Sequence, residues 1–337
     1  MSRGSLPKVS VIVPVYNVAA FIRQGARALF EQTLQDIQYI FINDCTPDNS
    51  IEVLNEVIEE YPHRKDQIKI IQHSVNKGVS GSRNSGLAAS TGEFIIHCDG
   101  DDWIEPHMYE DLYREAVRGG FDITWCDYFI ERRGNSILKV QDCEENAQSC
   151  IKAMLCNRNL STYLWDKLIR RELYEAHHVV FPEGINIRED FLVLIQLFHF
   201  SSTVGRIGGA YYHYRHRADS ISRNEAEFDN KLFYVDHRLK ATGMIEDFLV
   251  RQEAGALYRK EIMCSKMILK RLILSNSKDI KRWINLYPET NDYIFKAPLP
   301  KIFKLMMWAA STGNVGLVTM VKALINYKSR LSQKIRG

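Results

Sequence analysis

Two rhythms of apolar and polar residues alternate along the first third of the chain. Val9 to Val15 is rich in β-branched apolar residues and reads as a strand buried on both faces. Ala19 to Gln32 then sets Ile22, Ala26, Leu29 and Phe30 at helical spacing. The pair recurs as a strand over Ile37 to Ile42 and a helix over Ser50 to Tyr61, striped by Ile51, Leu54, Val57 and Ile58. Further strands are predicted at Ile68 to Gln72, Glu93 to Cys98 and Ile123 to Tyr128, with helices at Ser80 to Ala89 and Glu105 to Arg118 between them. Strand and helix alternating at this pitch predict an α/β fold, a mostly parallel sheet with helices on both faces.

From Asn146 the pattern loosens. A helix is predicted over Glu189 to Phe200, with short strands at Val204 to Ile207 and Ala210 to Tyr214. Beyond about Glu225 the pattern is helical, interrupted by Pro288, Pro298 and Pro300. The domains predicted are therefore residues 1–222, holding the sheet, and a helical region, residues 223–337.

Composition changes little. The chain has 337 residues, 45% of them hydrophobic and 25% charged, which suits a folded globular protein. Seven scattered cysteines without a C-x-x-C pair fit reduced thiols better than a disulfide framework or zinc site. Met1 to Pro7 has no apolar stretch of the signal-peptide kind, so a cytoplasmic location is expected. The net charge of +3 hides an asymmetry, because no acidic residue follows Asp292 while eight basic ones do. A basic, apolar-rich segment over Lys301 to Ile325 suits either a helix lying peripherally on anionic lipid or helices packed on the catalytic domain. Nucleic acid is disfavoured as a partner, since the tail lacks supporting aromatic patterning.

The chemistry gathers where strands end. Strand one runs into Tyr16-Asn17, strand two into Asn43-Asp44, strand three into Asn76-Lys77-Gly78, and strand four into Asp99-Gly100-Asp101-Asp102. In a parallel sheet these ends share one edge, where ligands bind. The three carboxylates of the last segment suit a hard divalent cation, and equally suit a polar turn capping the next helix. Asp44 and Tyr16 can bond and stack a nucleobase, although loop capping and edge packing explain a lone Asp or Tyr as well. Arg83, within a glycine-spaced loop, is either a phosphate partner or half of a surface salt bridge. Glu189-Asp190 opens a helix, where complementing the helix dipole is the ordinary role of a carboxylate. Tyr214-Arg215-His216-Arg217 and Asp219-Ser220 form either a diphosphate clamp or a solvated loop. His213 and His216 are more often structural than metal ligands at such positions.

Taken together, VSVIVPVYN (Val9 to Asn17), INDCTPDNS (Ile42 to Ser50), NKGVSGSRNSGL (Asn76 to Leu87) and GEFIIHCDGDDWIEP (Gly92 to Pro106) resemble glycosyltransferase family 2. These are inverting enzymes of the GT-A (Rossmann-like) fold. The WDKLIRREL, IREDF and YYHYRHRADSIS segments resemble bacterial members that build capsular and other surface polysaccharides. The resemblance implies transfer of a sugar from a nucleotide-sugar donor, usually a UDP-sugar, to a hydroxyl of a glycan or lipid-linked acceptor. It implies donor contacts from Pro14, Tyr16, Asp44, Arg83, Asp99, Arg215, Arg217 and Ser220. It also implies a Mn²⁺ or Mg²⁺ ion on Asp99 and Asp101, and Asp190, of the Glu189-Asp190 pair, as general base. That context reverses the dipole reading of Asp190. The rivals are a sugar nucleotidyltransferase and a non-catalytic glycan- or nucleotide-binding protein on the same fold. The loop after strand two departs from the family's Asp-Asp-Gly-Ser, having Asn43-Asp44-Cys45-Thr46, with Cys45 where glycine takes positive φ more easily.

Overall fold

The structure is a computed structural model that describes residues 6–132, 134–185, 187–216, 228–276, 280–297 and 299–335. Two compact units divide the chain: residues 1–154 with 159–224, and residues 155–158 with 225–337.

The first unit is built on one sheet. Its elements run β1 (Val9–Val15), α1 (Ile22–Phe30), β2 (Ile37–Asn43), α2 (Ser50–Glu60), β3 (Ile68–Gln72), α3 (Gly78–Ala89), β4 (Phe94–His97), β5 (Trp103–Ile104) and α4 (Met108–Gly119). They continue as β6 (Ile123–Arg132), β7 (Asn135–Lys139), α5 (Ala147–Leu155), β8 (Lys167–Arg170), α6 (Arg171–Ala176), α7 (Glu189–Phe200) and β9 (Val204–Arg215). The strand order is β3-β2-β1-β4-β8-β6-β9-β5, with β7 paired to β6. β1, β2, β3 and β4 are mutually parallel, as are β6 and β9, while β5, β7 and β8 run against their neighbours.

The period of two along the strands explains the layers. Val9, Val11, Val13, Tyr39 and Phe41 point into a core with Ile22, Ala26, Leu29, Leu54, Val57 and Leu112, from α1, α2 and α4. Ile12 and Ile42 lie beneath α3, since a Cβ on Gly86 would sit 2.4 Å from Ile12 and 3.2 Å from Ile42. Glycine at 86 is what lets α3 approach that closely. With both faces covered, β1 and β2 are mostly apolar, Ser10, Gln38 and Asn43 being the exceptions.

Sequence patterning missed the antiparallel insertions. Gly208-Gly209 reads as a break between two short strands, yet β9 runs unbroken through it. Gly209 takes φ +107°, and the register against β6 shifts around Asp127, so the pair bends a strand at a bulge. β8 escaped because Trp165-Asp166-Lys167 looks too polar for a sheet interior. Asp166 and Lys167 are in fact fully buried as an ion pair, Nζ to Oδ1 2.7 Å. Lys167 Nζ also donates to Ser161 Oγ (2.7 Å) and to the Tyr163 carbonyl (2.9 Å). Ser161 and Gln141 donate to the other Asp166 oxygen.

The second unit holds α8 (Phe228–Arg251), α9 (Arg259–Asn276), α10 (Ile280–Asn285), α11 (Lys301–Ser311) and α12 (Val315–Ile335). Met267, Leu274, Trp283, Met306, Met307, Val318 and Val321 form its core. Among the described residues no helix is long and apolar enough to cross a membrane.

Removing one partner of a buried ion pair strands the other charge. Lys167→Met is therefore expected to cost about 3–5 kcal/mol, read from urea unfolding. A loss below about 1 kcal/mol would show that the pair does not hold the loop that precedes β8.

Candidate active site

Register places the C-terminal ends of β1 to β4 on one rim: Val15 pairs with Asn43, Asn43 with Gln72, and Ile12 with His97. The β1–β4 ladder stops at Ile12↔His97. The next residue facing that side is Pro14, whose carbonyl lies near Gly100. Proline has no N–H to leave unpaired there, so β4 can turn away into Asp99-Gly100-Asp101-Asp102.

The loops after β1 and β2 are stitched together. Thr46 Oγ1 accepts the Asn17 N–H (2.8 Å), Asp48 Oδ2 the Ala19 N–H (2.9 Å) and Ser50 Oγ the Val18 N–H (3.1 Å). Asn43 Oδ1 accepts the Thr46 N–H (2.9 Å), a bond that its side chain keeps without a charge. Cys45 does take the left-handed conformation, φ +58°. Tyr16 is exposed at this rim, and Asp44 is buried within it. Asp44 Oδ1 accepts from His73 Nδ1 (2.7 Å) and the Lys77 N–H (2.8 Å).

The Arg83 reading changes most. It forms no surface salt bridge, because α3 carries it into the interior at 3% exposure. Its Nη2 donates to Asp99 Oδ1 (3.2 Å) and its Nη1 to Glu189 Oε1 (2.8 Å) and Asp190 Oδ1. Burial alone would depress the guanidinium pKa. The carboxylates outweigh that, Asp190 foremost, and hold Arg83 firmly charged. In turn, burial pushes the Asp190 carboxyl well above the usual aspartate range, with Arg83 opposing it. Glu189 is raised for the same first reason. The Leu164 main chain, beside buried Trp165, works with Arg83 against that rise, and Phe191 is fully buried next in the chain. Arg83 thus joins Asp99, from the rim, to the start of α7.

The acidic turn is not three equivalent carboxylates. Asp102 is 1% exposed and faces inward, accepting from Tyr212 Oη (2.7 Å) and the Arg215 N–H (2.7 Å). Tyr212 Oη also accepts the Asp99 N–H (3.1 Å). Burial, then Asp101 and Asp99, drive the Asp102 carboxyl upward. Asp99 and Asp101 are only partly buried. Arg215 packs over Trp103, 4.5 Å from the ring centre, and donates to the Asp101 carbonyl (2.8 Å) and Gln24 (2.6 Å). Arg217 and Ser220 lie outside the described residues. His213 is stacked between Trp103 and Phe129 and bonds Glu105 and Glu131, so it serves the sheet edge.

Among the described residues no group of three or more His, Cys, Asp and Glu side chains forms a protein-only metal cage. The donor set still fits magnesium or manganese, which commonly take one or two carboxylates and complete their shell with phosphate oxygens and water. Asp99 and Asp101 offer that pair.

The chain also resembles known proteins in sequence and fold. A profile described as Glycosyl transferase family 2 matches residues 10–189. The chain is 33% identical over 228 residues to the uncharacterized glycosyltransferase EpsJ of Bacillus subtilis, covering 64% of this chain and 63% of EpsJ. It is 32% identical over 263 residues to the putative glycosyltransferase EpsH of the same organism, covering 76% and 73%. TarS 1–349 of S. aureus in complex with UDP-GlcNAc shares the fold at TM-score 0.61 and 15% identity, over 95% of this chain and 92% of that one. The mannosyltransferase PcManGT of Pyrobaculum calidifontis, in complex with GDP-Man and Mn²⁺, does so at 0.52 and 12%, over 95% and 87%. The rim, the acidic turn and the α7 carboxylates thus sit on a GT-A fold. The chain belongs to glycosyltransferase family 2 and is a transferase enzyme.

His73 and Tyr212 carry no assignment from sequence, and Asp102 reads there only as one of three alike carboxylates. His73 carried one signal, its place directly after strand three; Tyr212 carried only its alternation with Tyr214.

Replacing Arg83 by Met leaves three carboxylates facing one another without their cation. Arg83→Met is expected to lose about 3–5 kcal/mol at neutral pH. The deficit should narrow as pH falls and the carboxylates protonate, measured by denaturation at several pH values. A deficit independent of pH would mean that Arg83 acts by packing alone.

Proposed function

We propose that this enzyme transfers a sugar from a UDP-sugar to a hydroxyl of a glycan or lipid-linked glycan, with inversion, in synthesis of a surface polysaccharide. The observation that carries the reading is the Arg83 bridge, which sets a buried carboxylate pair beside the rim where nucleotides bind on this fold. The relatives support the process: Minor teichoic acid biosynthesis protein GgaB of Bacillus subtilis is 26% identical over 238 residues. TarS, a structural neighbour, is complexed with a UDP-sugar. Membership in a glycosyltransferase family leaves the nucleotidyltransferase and non-catalytic readings without support.

In this mechanism Tyr16 stacks on the base and Asp44 accepts its N–H, with Pro14 shaping the rim. Arg215 braces the acidic turn. Asp190 removes the proton from the acceptor hydroxyl while that oxygen bonds the anomeric carbon. The carbon–diphosphate bond breaks on the opposite face, and UDP departs with the electron pair. Arg83 serves as positioning residue: it holds Asp190 ionised against the burial that would neutralise it, leaving a carboxylate basic enough for the task. A divalent ion held by Asp99 and Asp101 would offset the charge on the leaving diphosphate. Outside the sheet unit, Trp308, Met320, Leu324 and Tyr327 are exposed on the basic C-terminal helices and fit peripheral contact with anionic lipid on the cytoplasmic face.

UDP release from a panel of UDP-sugars tests the reaction. Asp190→Asn is expected to lower kcat by roughly 10²–10⁴-fold while UDP still raises the melting temperature. Because the base must be ionised and its pKa is raised, activity should be present at high pH and fall as pH drops through a value above the ordinary aspartate range. An acid limb at the ordinary position would remove Asp190 from the role. EDTA should abolish turnover in wild type and added Mn²⁺ restore it, whereas Asp101→Ala should not recover. EDTA-insensitive turnover would exclude the metal.

A further inference from the structure

The Asp44 carboxylate is not symmetric. Oδ1 takes two N–H donors, His73 Nδ1 at 2.7 Å and the Lys77 amide at 2.8 Å. A carboxylate oxygen has about two lone-pair positions, so Oδ1 is saturated. No described residue donates to Oδ2, and that atom is not sealed from solvent. His73 is itself held: its Nε2 faces Ser85 Oγ at 2.8 Å. An ionised carboxylate only accepts, so Nδ1 donates to Asp44, while Nε2 and the Ser85 hydroxyl share the second hydrogen bond. Both His73 and Asp44 have side chains 4% exposed, so solvent does not loosen the chain of Ser85, His73 and Asp44.

This asymmetry has a consequence for the base. Guanine presents adjacent N1–H and N2–H donors, which match a carboxylate that offers both oxygens. Uracil presents a single N3–H between two carbonyl oxygens. A second bare carboxylate oxygen beside those carbonyls repels them, while one capped by two N–H donors does not. We infer that His73 is a specificity-determining positioning residue, which reduces Asp44 to one acceptor and so selects a uracil nucleotide over a guanine nucleotide. The inference rests on the proposed role of Asp44 at the nucleobase. Fold alone leaves the question open, because structural neighbours include complexes with a UDP-sugar and with GDP-Man.

Calorimetric titration of the full chain with UDP and with GDP tests it, alongside His73→Leu and His73→Asn. The asparagine amide occupies the place of Nδ1 and can still donate. Wild type should bind UDP at least about tenfold more tightly than GDP, the scale of one hydrogen bond to a charged group. His73→Leu should lose about that factor for UDP and collapse the ratio, raising KM for donor with kcat at saturation little changed. His73→Asn should restore the preference, which a merely structural role does not predict. A preference unchanged in folded His73→Leu, or wild type that favours GDP, overturns the inference. Wild type that binds neither nucleotide overturns the donor reading itself, and the inference with it, before any variant is compared.

Discussion

Three carboxylates converge on one buried guanidinium, and the site cannot be assembled without it. Asp99 comes from the sheet rim, and Glu189 and Asp190 from the start of α7, 106 and 107 positions beyond Arg83. Left alone in a poorly solvated space, these groups would repel or protonate. Arg83 makes their approach favourable, and Arg suits the task because its planar fork keeps its charge when buried and addresses several oxygens at once. Its position follows from α3, which lies against β1 and β2 only because residue 86 lacks a side chain. The same helix sends Asn84 to both the N–H and the carbonyl of Phe181, and Ser85 to His73. A short polar helix therefore reaches His73, the acidic turn and the buried α7 carboxylates together.

The acidic turn shows how charge can be sorted by depth. Asp102 is drawn inward, where Tyr212 and a main-chain amide from β9 satisfy it. Tyr212 is backed by Trp165, stacked at 4.0 Å. An inward carboxylate anchors the turn, while Asp99 and Asp101 stay partly buried and Asp99 meets Arg83. A cluster that looks uniform in one dimension has two distinct jobs in three.

Strong periodicity made much of the fold legible. β1, β3 and α7 were read with the bounds they have, because apolar runs of fixed period record burial directly. The convergence of strand ends was legible too, since parallel pairing leaves those residues one edge. What escaped was whatever depends on a distant partner. Lys167 and Asp166 look like surface residues until paired with each other, and β8 was lost with them. Gly208-Gly209 breaks a pattern without breaking a strand. Arg83 was noticed as a charge, but only the fold shows that its partners are the carboxylates and that it is buried. His73 was passed over because nothing in one dimension says which carboxylate a histidine will meet.

Pro14 carries a broader implication. A sheet normally closes every gap between neighbours, yet an opening is needed between β1 and β4 for the acidic turn to depart. An imino acid at that point means no amide is orphaned there. Any other residue would bring a donor into the gap and invite the turn to fold back over it as continued strand. The departure of the acidic turn from the sheet thus rests on a hydrogen bond that the chain is chemically unable to form.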